Sequence, residues 1–538
     1  MKKLMLGAAI SAALLSGVAN ANITLDGSGK PVITPADTYE IYLSGASAAQ
    51  NFIDLLLTST RIPIANRICN FTKVIYKYSD NGNGKDQNAY LCELNPFNPT
   101  LTGLAGGKTN LLIYKRNLGG SAMGVSPLIA EANGNTANAT IDYLKVDNAA
   151  NCTVPVISSG LARSTCTYVG GNPAFSQAHK SDFGISDVDP LQFRGANTEA
   201  GFPEVTPADV AKLTVKAAAA NVFNVPVTLK LRNALQEAQF PKTSKCNPLN
   251  AGYTNGFKGT AESATCMPSL NSGLITSIFT GKLNSWSQVK LGTSGDLFAN
   301  AASPASTVSD DRLHICRRVN GSGTQAQLGI KFLNYPCNDT ATPPAVDTGA
   351  LPEAVNSAQV HALSTSGGVT ECLNELNTGS NTVGTSFNNI YGDRWAIGIQ
   401  ALDLNANLAN GFRFVKIDGV LPTLDNVVKG KYKDWVELTF QYNSTHTFDT
   451  SEKAIVDEII KEAGNPIVMA GLNATAIHSF GQGGFLAVPQ LFAAPSNGKL
   501  ALSKPVNPLS HGTTAAKTDN CRMPAIYNPG PAGGLQLF

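Results

Sequence analysis

Three times in this chain an apolar run with strand-like alternation ends in a turn of small residues and passes into a helical pattern. YEIYLSGASAAQNFIDLLL (39–57) alternates through Leu43, turns at Ser44-Gly45 and continues with helical periodicity. TNLLIYKRNLGGSAMGVSPLIAEA (109–132) repeats strand, Gly-Gly-Ser turn and helix, and RLHICRRV (312–319) delivers the chain into Gly321 and the helical stretch behind it. Period-2 patterning followed by period-3.6 patterning predicts an α/β chain with largely parallel sheets. SDFGISDVDPL (181–191) adds a short strand ending in an acidic turn, NVPVTLKL (224–231) another strand, and GLITSIFTGKLNSWSQV (273–289) a helix and turn. The stretch from about 62 to 110 reads as irregular, and the Gly/Ser/Thr/Asn-rich stretches at 292–309, 338–350 and 364–386 read as surface insertions. Residues 465–538 read as an extended, loop-rich tail.

The first 21 residues carry Lys2-Lys3, an apolar run from Leu4 to Leu15, and Ala19 and Ala21 at the A-x-A positions of a cleaved secretory signal peptide. No later segment approaches the roughly 18 apolar residues of a membrane span, so a soluble periplasmic or extracellular protein is expected. Its ten cysteines then predict disulfides. Eight fall into near neighbours, Cys69/Cys92, Cys152/Cys166, Cys246/Cys266 and Cys316/Cys337, with Cys372 and Cys521 left over, and spacing alone does not fix the connectivity. With no C-x-x-C, no H-E-x-x-H and six scattered histidines, no metal is expected. SDNGNGKDQN (79–88) has the look of a calcium loop, but counting from Ser79 its twelfth position is Tyr90 where glutamate is required, which favours a plain turn. Charged residues are 14% of the chain and its formal net charge is +2, against about 25% charged in ordinary soluble proteins. Nucleic acid, which is bound through dense Lys/Arg, is therefore not an expected partner.

The turns Gly45–Ser47, Gly119–Ser121 and Gly321–Thr324 share a composition that suits an anion. Small residues let a ligand approach the backbone, helix N-termini offer unpaired N–H groups, and hydroxyls add donors. In α/β sheets such turns converge beyond the carboxyl ends of the strands. Arg318, beside the third turn, adds a planar two-pronged donor. Singly, each turn reads more readily as an ordinary helix cap and Arg318 as a surface residue at a strand end; the combination is the stronger signal.

The order of these motifs resembles the phosphate-binding proteins of ABC transporters, of the type 2 periplasmic-binding-protein family. LSGASAAQ, GGSAMGV, SDFGISDVDPL, ITSIFTGKLNSW, RRVNGSGTQ, WAIGIQALD and IDGVLPTLDNVVKGKY follow the family order from about 40 to 440. The resemblance implies a two-lobed α/β fold with loop-rich, disulfide-stapled insertions. Lobe I would comprise 38–200 plus 395–464, lobe II 201–394, and 465–538 a C-terminal extension. It implies phosphate or a similar oxyanion closed between the lobes by hinge motion, an ABC transporter membrane component as partner, and neither cofactor nor catalysis. Position by position it implies a contact from Ser121, an acceptor at Asp187, and oxyanion contacts from Arg318, Ser322, Gly323 and Thr324. Asp187 is informative, because a carboxylate repels an anion unless the ligand brings a proton to donate, as phosphate does near neutral pH and sulfate does not.

Two departures stand out. Ala49-Gln50 occupies the place of the family's Thr-Phe, leaving Ser47 as the compensating hydroxyl, and Asn320 stands where an aspartate is frequent. Asparagine there would relax the rejection of fully ionised oxyanions, or simply cap the turn. Two other functions stay open: an extracellular surface or matrix protein on the same scaffold, and a secreted phosphatase-like protein. Against the latter, no G-x-S-x-G elbow occurs; the nearest stretch, IHSFG (477–481), has Ile477 at the first glycine, and His478 and Ser479 read as incidental neighbours.

Overall fold

The computed structural model describes residues 23–81, 86–146, 151–256, 258–291, 295–349, 357–405, 408–474, 477–478, 481–482, 484–494, 498–512 and 517–527. The leader 1–21, the centre of the calcium-like stretch (82–85), Ser479 and the terminal 528–538 lie outside them.

The core is two sheets. In the first, of eleven strands, β1 (Thr38–Gly45) lies between β2 (Asn110–Arg116) and β3 (Phe183–Ser186) and is parallel to both. The long strand β4 (Leu213–Asn224) joins this sheet too. The second sheet has five strands, with β5 (His314–Arg318) parallel to β6 (Gln359–Leu363) on one side and β7 (Ala396–Gly398) on the other. The chain then returns to the first sheet as β8 (Trp435–Asn443), antiparallel to both β3 and β4. The chain passes from the first sheet to the second between Asn224 and Val227 and is back in the first at Trp435; Ala396–Gly398 and Phe412–Arg413 pair in the second sheet, while Gln400–Ala401 between them pairs with β4 in the first.

The helices follow from their apolar stripes. α1 (Gln50–Thr58) buries Phe52, Ile53, Leu56 and Leu57. α2 (Ser126–Ala132) carries a proline in its first turn, where the missing N–H costs nothing. α3 (Leu229–Gln239) follows β4 after two paired residues, Val227–Thr228. α4 (Gly323–Leu328) starts at the third turn, and α5 (Ser366–Thr378) is capped by Thr365, whose hydroxyl accepts from the Gly368 N–H. α6 (Thr450–Gly464) is capped by Asp449, and a shorter helix, Pro466–Asn473, follows it. Among the described residues no helix is long and apolar enough to cross a membrane.

Several expectations are corrected. The sheets are mixed, not largely parallel: within 62–110 the strands Ile75–Asp80 and Gln87–Glu93 form an antiparallel hairpin that extends the first sheet. Gln87, Asn88 and Cys92 are buried there, so a polar composition masks a strand with both faces covered. NVPVTLKL is the end of one strand, a two-residue strand and a helix start, not one strand; a short Val/Leu run suits either element. Residues 364–386 are not a surface insertion, since α5 buries Val369, Cys372, Leu373 and Leu376 at helical spacing behind a Gly/Ser/Thr-rich start. Nor is 465–538 merely extended: besides its helix, strand Phe485–Ala487 pairs with β4 in the first sheet.

All ten cysteines are paired. Three near neighbours bond, Cys69–Cys92, Cys152–Cys166 and Cys246–Cys266. Cys316 does not pair with Cys337. It faces α5 from β5 and bonds Cys372, while Cys337 bonds Cys521, 184 residues away. Packing of a helix on a sheet decides the first pairing and docking of the C-terminal segment the second; neither has a signature in local spacing.

Candidate functional site

The strand ends of the two sheets meet through their turns. β1 ends at Gly45, where φ is +108° and a Cβ would come within 2.0 Å of the Ile185 carbonyl oxygen, so only glycine turns the chain here. The second and third turns touch through the backbone, the Ala122 N–H donating to the Gly321 carbonyl at 2.8 Å. At Gly323 a Cβ would lie 2.3 Å from Ser121 Oγ and 2.8 Å from Asp187 Cβ, so glycine admits the third turn against the second.

Arg318 ends β5 with its side chain 1% exposed. Its Nη1 donates to Ser47 Oγ at 2.6 Å and Ser366 Oγ at 3.1 Å, its Nη2 to the Ser364 carbonyl at 2.6 Å, and its Nε to the Leu363 carbonyl at 3.1 Å. No carboxylate lies within ion-pair distance of it among the described residues. Burial lowers the guanidinium to about 10, against the opposing influence of Asp187, Asp86 and Glu199, and it stays charged at neutral pH.

Asp187, in the acidic turn after β3, is as deeply buried. Its Oδ2 accepts from Ser121 Oγ and from Thr324 Oγ1, each at 3.3 Å, and its own N–H donates to Ser121 Oγ at 3.1 Å. Oδ1 has no partner. Burial pushes the carboxyl up to about 6 in spite of Arg318, the two hydroxyls and Lys115.

Six of the eight anticipated residues thus fall into two groups of contacts, Arg318 with Ser47, and Asp187 with Ser121, Gly323 and Thr324, and the two groups feel each other electrostatically through Arg318 and Asp187. Ser322 is buried beside them, with its Oγ accepting from the Gln325 N–H as the cap of α4. Asn320 is not brought in; it is exposed.

Other groups at the site escaped the sequence reading. Ser364 and Ser366 come from the start of α5, in the stretch taken for an insertion; Thr365 ahead of apolar residues at 369, 372, 373 and 376 was the cap signal that marked it. Lys115, on β2, is buried with Nζ donating to the Gly45 carbonyl at 2.6 Å and the Arg116 carbonyl at 3.0 Å, and burial lowers it to about 7. Glu199 packs on the third turn, where a Cβ at Gly321 would meet its Oε2 at 1.9 Å, and burial raises it to about 7. Asp403, whose Oδ2 accepts from Asn51 Nδ2 at 3.3 Å, is raised to about 6 by burial. Four of the five N–H groups of Arg318 are taken by protein acceptors, which leaves one on Nη2, with the neighbouring hydroxyls, to meet an oxyanion and Asp187 Oδ1 to accept a proton from it. No group of three or more His, Cys, Asp or Glu that could hold a metal occurs among the described residues.

No family model matches this chain, and no curated protein matches it. Among solved structures it is similar to a phosphate ABC transporter substrate-binding protein with bound phosphate from Clostridium perfringens, at 14% identity and a TM-score of 0.37, covering 81% of this chain and 98% of that one. A DING protein aligns at 13% identity and a TM-score of 0.37 over 89% of this chain and 97% of that one. An ABC-type phosphate transport receptor from Vibrio cholerae aligns at 12% identity and a TM-score of 0.27, over 52% of this chain and 73% of that one. The solved structures that this chain is similar to thus include several phosphate-binding proteins of ABC transporters, all distant in sequence.

Proposed function

We propose that this chain binds phosphate, or a similar oxyanion that carries a proton, between its two sheets. One observation supports this above the rest: among the described residues, a buried guanidinium without a carboxylate partner and a buried aspartate with an unpartnered oxygen lie close enough to influence each other's charge. An unpaired buried charge and an orphaned acceptor are both costly, and a monohydrogen oxyanion relieves both at once. The role is binding without chemistry, in the periplasm or outside the cell, where five disulfides persist. A transporter membrane component is the proposed partner, on the strength of the motif resemblance.

The test is thermal stability of the purified chain in phosphate, with sulfate as control. Ligand at a hundred times its dissociation constant stabilises a folded protein by about 2.7 kcal/mol. Phosphate is expected to raise the melting temperature and sulfate to do so much less; no shift at millimolar phosphate would overturn the reading.

A further inference from the structure

The C-terminal segment makes a second set of contacts between the sheets, separate from the oxyanion site. Ala487, in the strand paired with β4, accepts the Asn507 N–H at 2.9 Å, which seats the segment on the first sheet. His511 then enters the interior. Its Nδ1 donates to Oε2 of Glu437 on β8 at 2.7 Å, and its Nε2 accepts from Nζ of Lys331 at 2.7 Å, just beyond α4 on the side of the second sheet. Its N–H also donates to Glu437 Oε1, at 2.8 Å, and its ring packs on Trp435. Asn520 exchanges two hydrogen bonds with Asp189, just after β3: the Asp189 N–H donates to Asn520 Oδ1 at 2.7 Å and the Asn520 N–H to Asp189 Oδ2 at 2.9 Å. The next residue, Cys521, is covalently bonded to Cys337, which follows α4.

We infer that this segment is a clasp that ties the two sheets together, so that the ligand site opens only slowly by swinging the lobes apart and whatever the site holds is released slowly. Hinge opening needs the strand ends of the two sheets to separate. Lys331 and Cys337 move with the second sheet, Glu437 and Asp189 with the first, and His511, Asn520 and Cys521 join them. Opening would break the His511–Lys331 bond, and because Cys521 is bonded to Cys337 it would also pull Asn520 from Asp189. Burial lowers Lys331 to about 8 and, with Lys331, lowers His511, which suits a neutral imidazole accepting from an ammonium and donating to a carboxylate. The clasp is a property of the chain itself and stands whether or not the oxyanion is phosphate; retention of phosphate in particular rests on the function proposed above.

Two backbone N–H groups report on opening, because Ala122 donates to Gly321 and Gly321 to Asn197, at 2.8 and 3.1 Å. Hydrogen exchange of peptides containing these amides, without added ligand, is compared between the parent chain and a Cys337→Ser, Cys521→Ser double variant. The expected result is exchange at least tenfold faster at both amides, with the β1–β2 ladder unchanged. A second variant, His511→Ala with Asn520→Ala, keeps the disulfide and decides the matter if the first does not fold; it is expected to quicken both amides at least threefold. Exchange within twofold of the parent in the folded variant would overturn the clasp. With labelled phosphate the release rate should rise by a similar factor; a chain that binds no phosphate would sink the proposed function and leave the exchange result to judge the clasp.

Discussion

Glu437 and Asp187 are both buried carboxylates at places where the two sheets meet, and they are treated in opposite ways. Glu437 accepts from Ser510 Oγ, from the His511 N–H and Nδ1, and from Asn520 Nδ2. Burial alone would raise it, yet His511 and the Ser510 hydroxyl hold it down at about 2. Asp187 has two long hydroxyl contacts on one oxygen and none on the other, and burial wins, lifting it to about 6. A filled coordination shell marks a structural joint, whereas a shell left short is what the proposed ligand site requires.

That contrast can be broken by substitution. The largest effect is expected at the joint. Glu437→Ala strands His511 and Lys331 in the interior and should cost about 3 to 5 kcal/mol of stability, as removing one partner of a buried pair does, whether phosphate is present or not. Denaturant unfolding reads this directly, and a loss smaller than that of an ordinary surface substitution would remove the distinction between the regions.

Asp187→Asn should act with the opposite sign. The folded-state value of about 6 lies above the ordinary 3.8, so the native protein favours the protonated form and loses stability as pH rises through about 6. The difference corresponds to about 3 kcal/mol at pH 7.5 and vanishes below about pH 3. The ligand-free variant should therefore be more stable than the parent at pH 7.5 and lose that advantage progressively as pH falls below about 6, as melting curves across that range would reveal. A variant less stable across the whole range would mean that Asp187 is a joint like Glu437.

Ser121→Ala removes one hydroxyl from the site and should weaken phosphate binding by about 1.5 kcal/mol, roughly tenfold, and the loss of its two hydrogen bonds with Asp187 should cost about 1 to 3 kcal/mol in unfolding. Calorimetric titration measures the first and denaturant the second. The smallest effect is expected at Asn320, which is exposed. Asn320→Asp should leave the ratio of sulfate to phosphate affinity within threefold of the parent, by competition; a wider gap would bring position 320 back into the site.

Much of this was legible in the sequence, for a physical reason. The three strand-to-turn-to-helix units are local, because glycine and hydroxyl residues are needed where the backbone turns, and they point to Ser121, Arg318 and Thr324 unaided. Ser366 was hidden because Ser, Gly and Gly precede the apolar stripe of α5, so the start of a core helix looked like a loop. Lys115 was hidden because a lysine in a strand gives no sign of facing inward. The clasp was invisible for a different reason: Glu437, His511 and Asn520 lie far apart in the chain, and only packing brings them together.

The central claim is that Arg318 and Asp187 belong to an oxyanion site, and equilibrium binding of labelled phosphate to the purified chain tests it most directly, with folded Arg318→Ala as control. Losing the charged partner of a buried ligand contact typically costs about 2 to 5 kcal/mol, at least thirtyfold in affinity. The account predicts one equivalent of phosphate on the parent and an affinity at least thirtyfold weaker in the variant. A parent that binds none, or a variant within threefold of the parent, would contradict it.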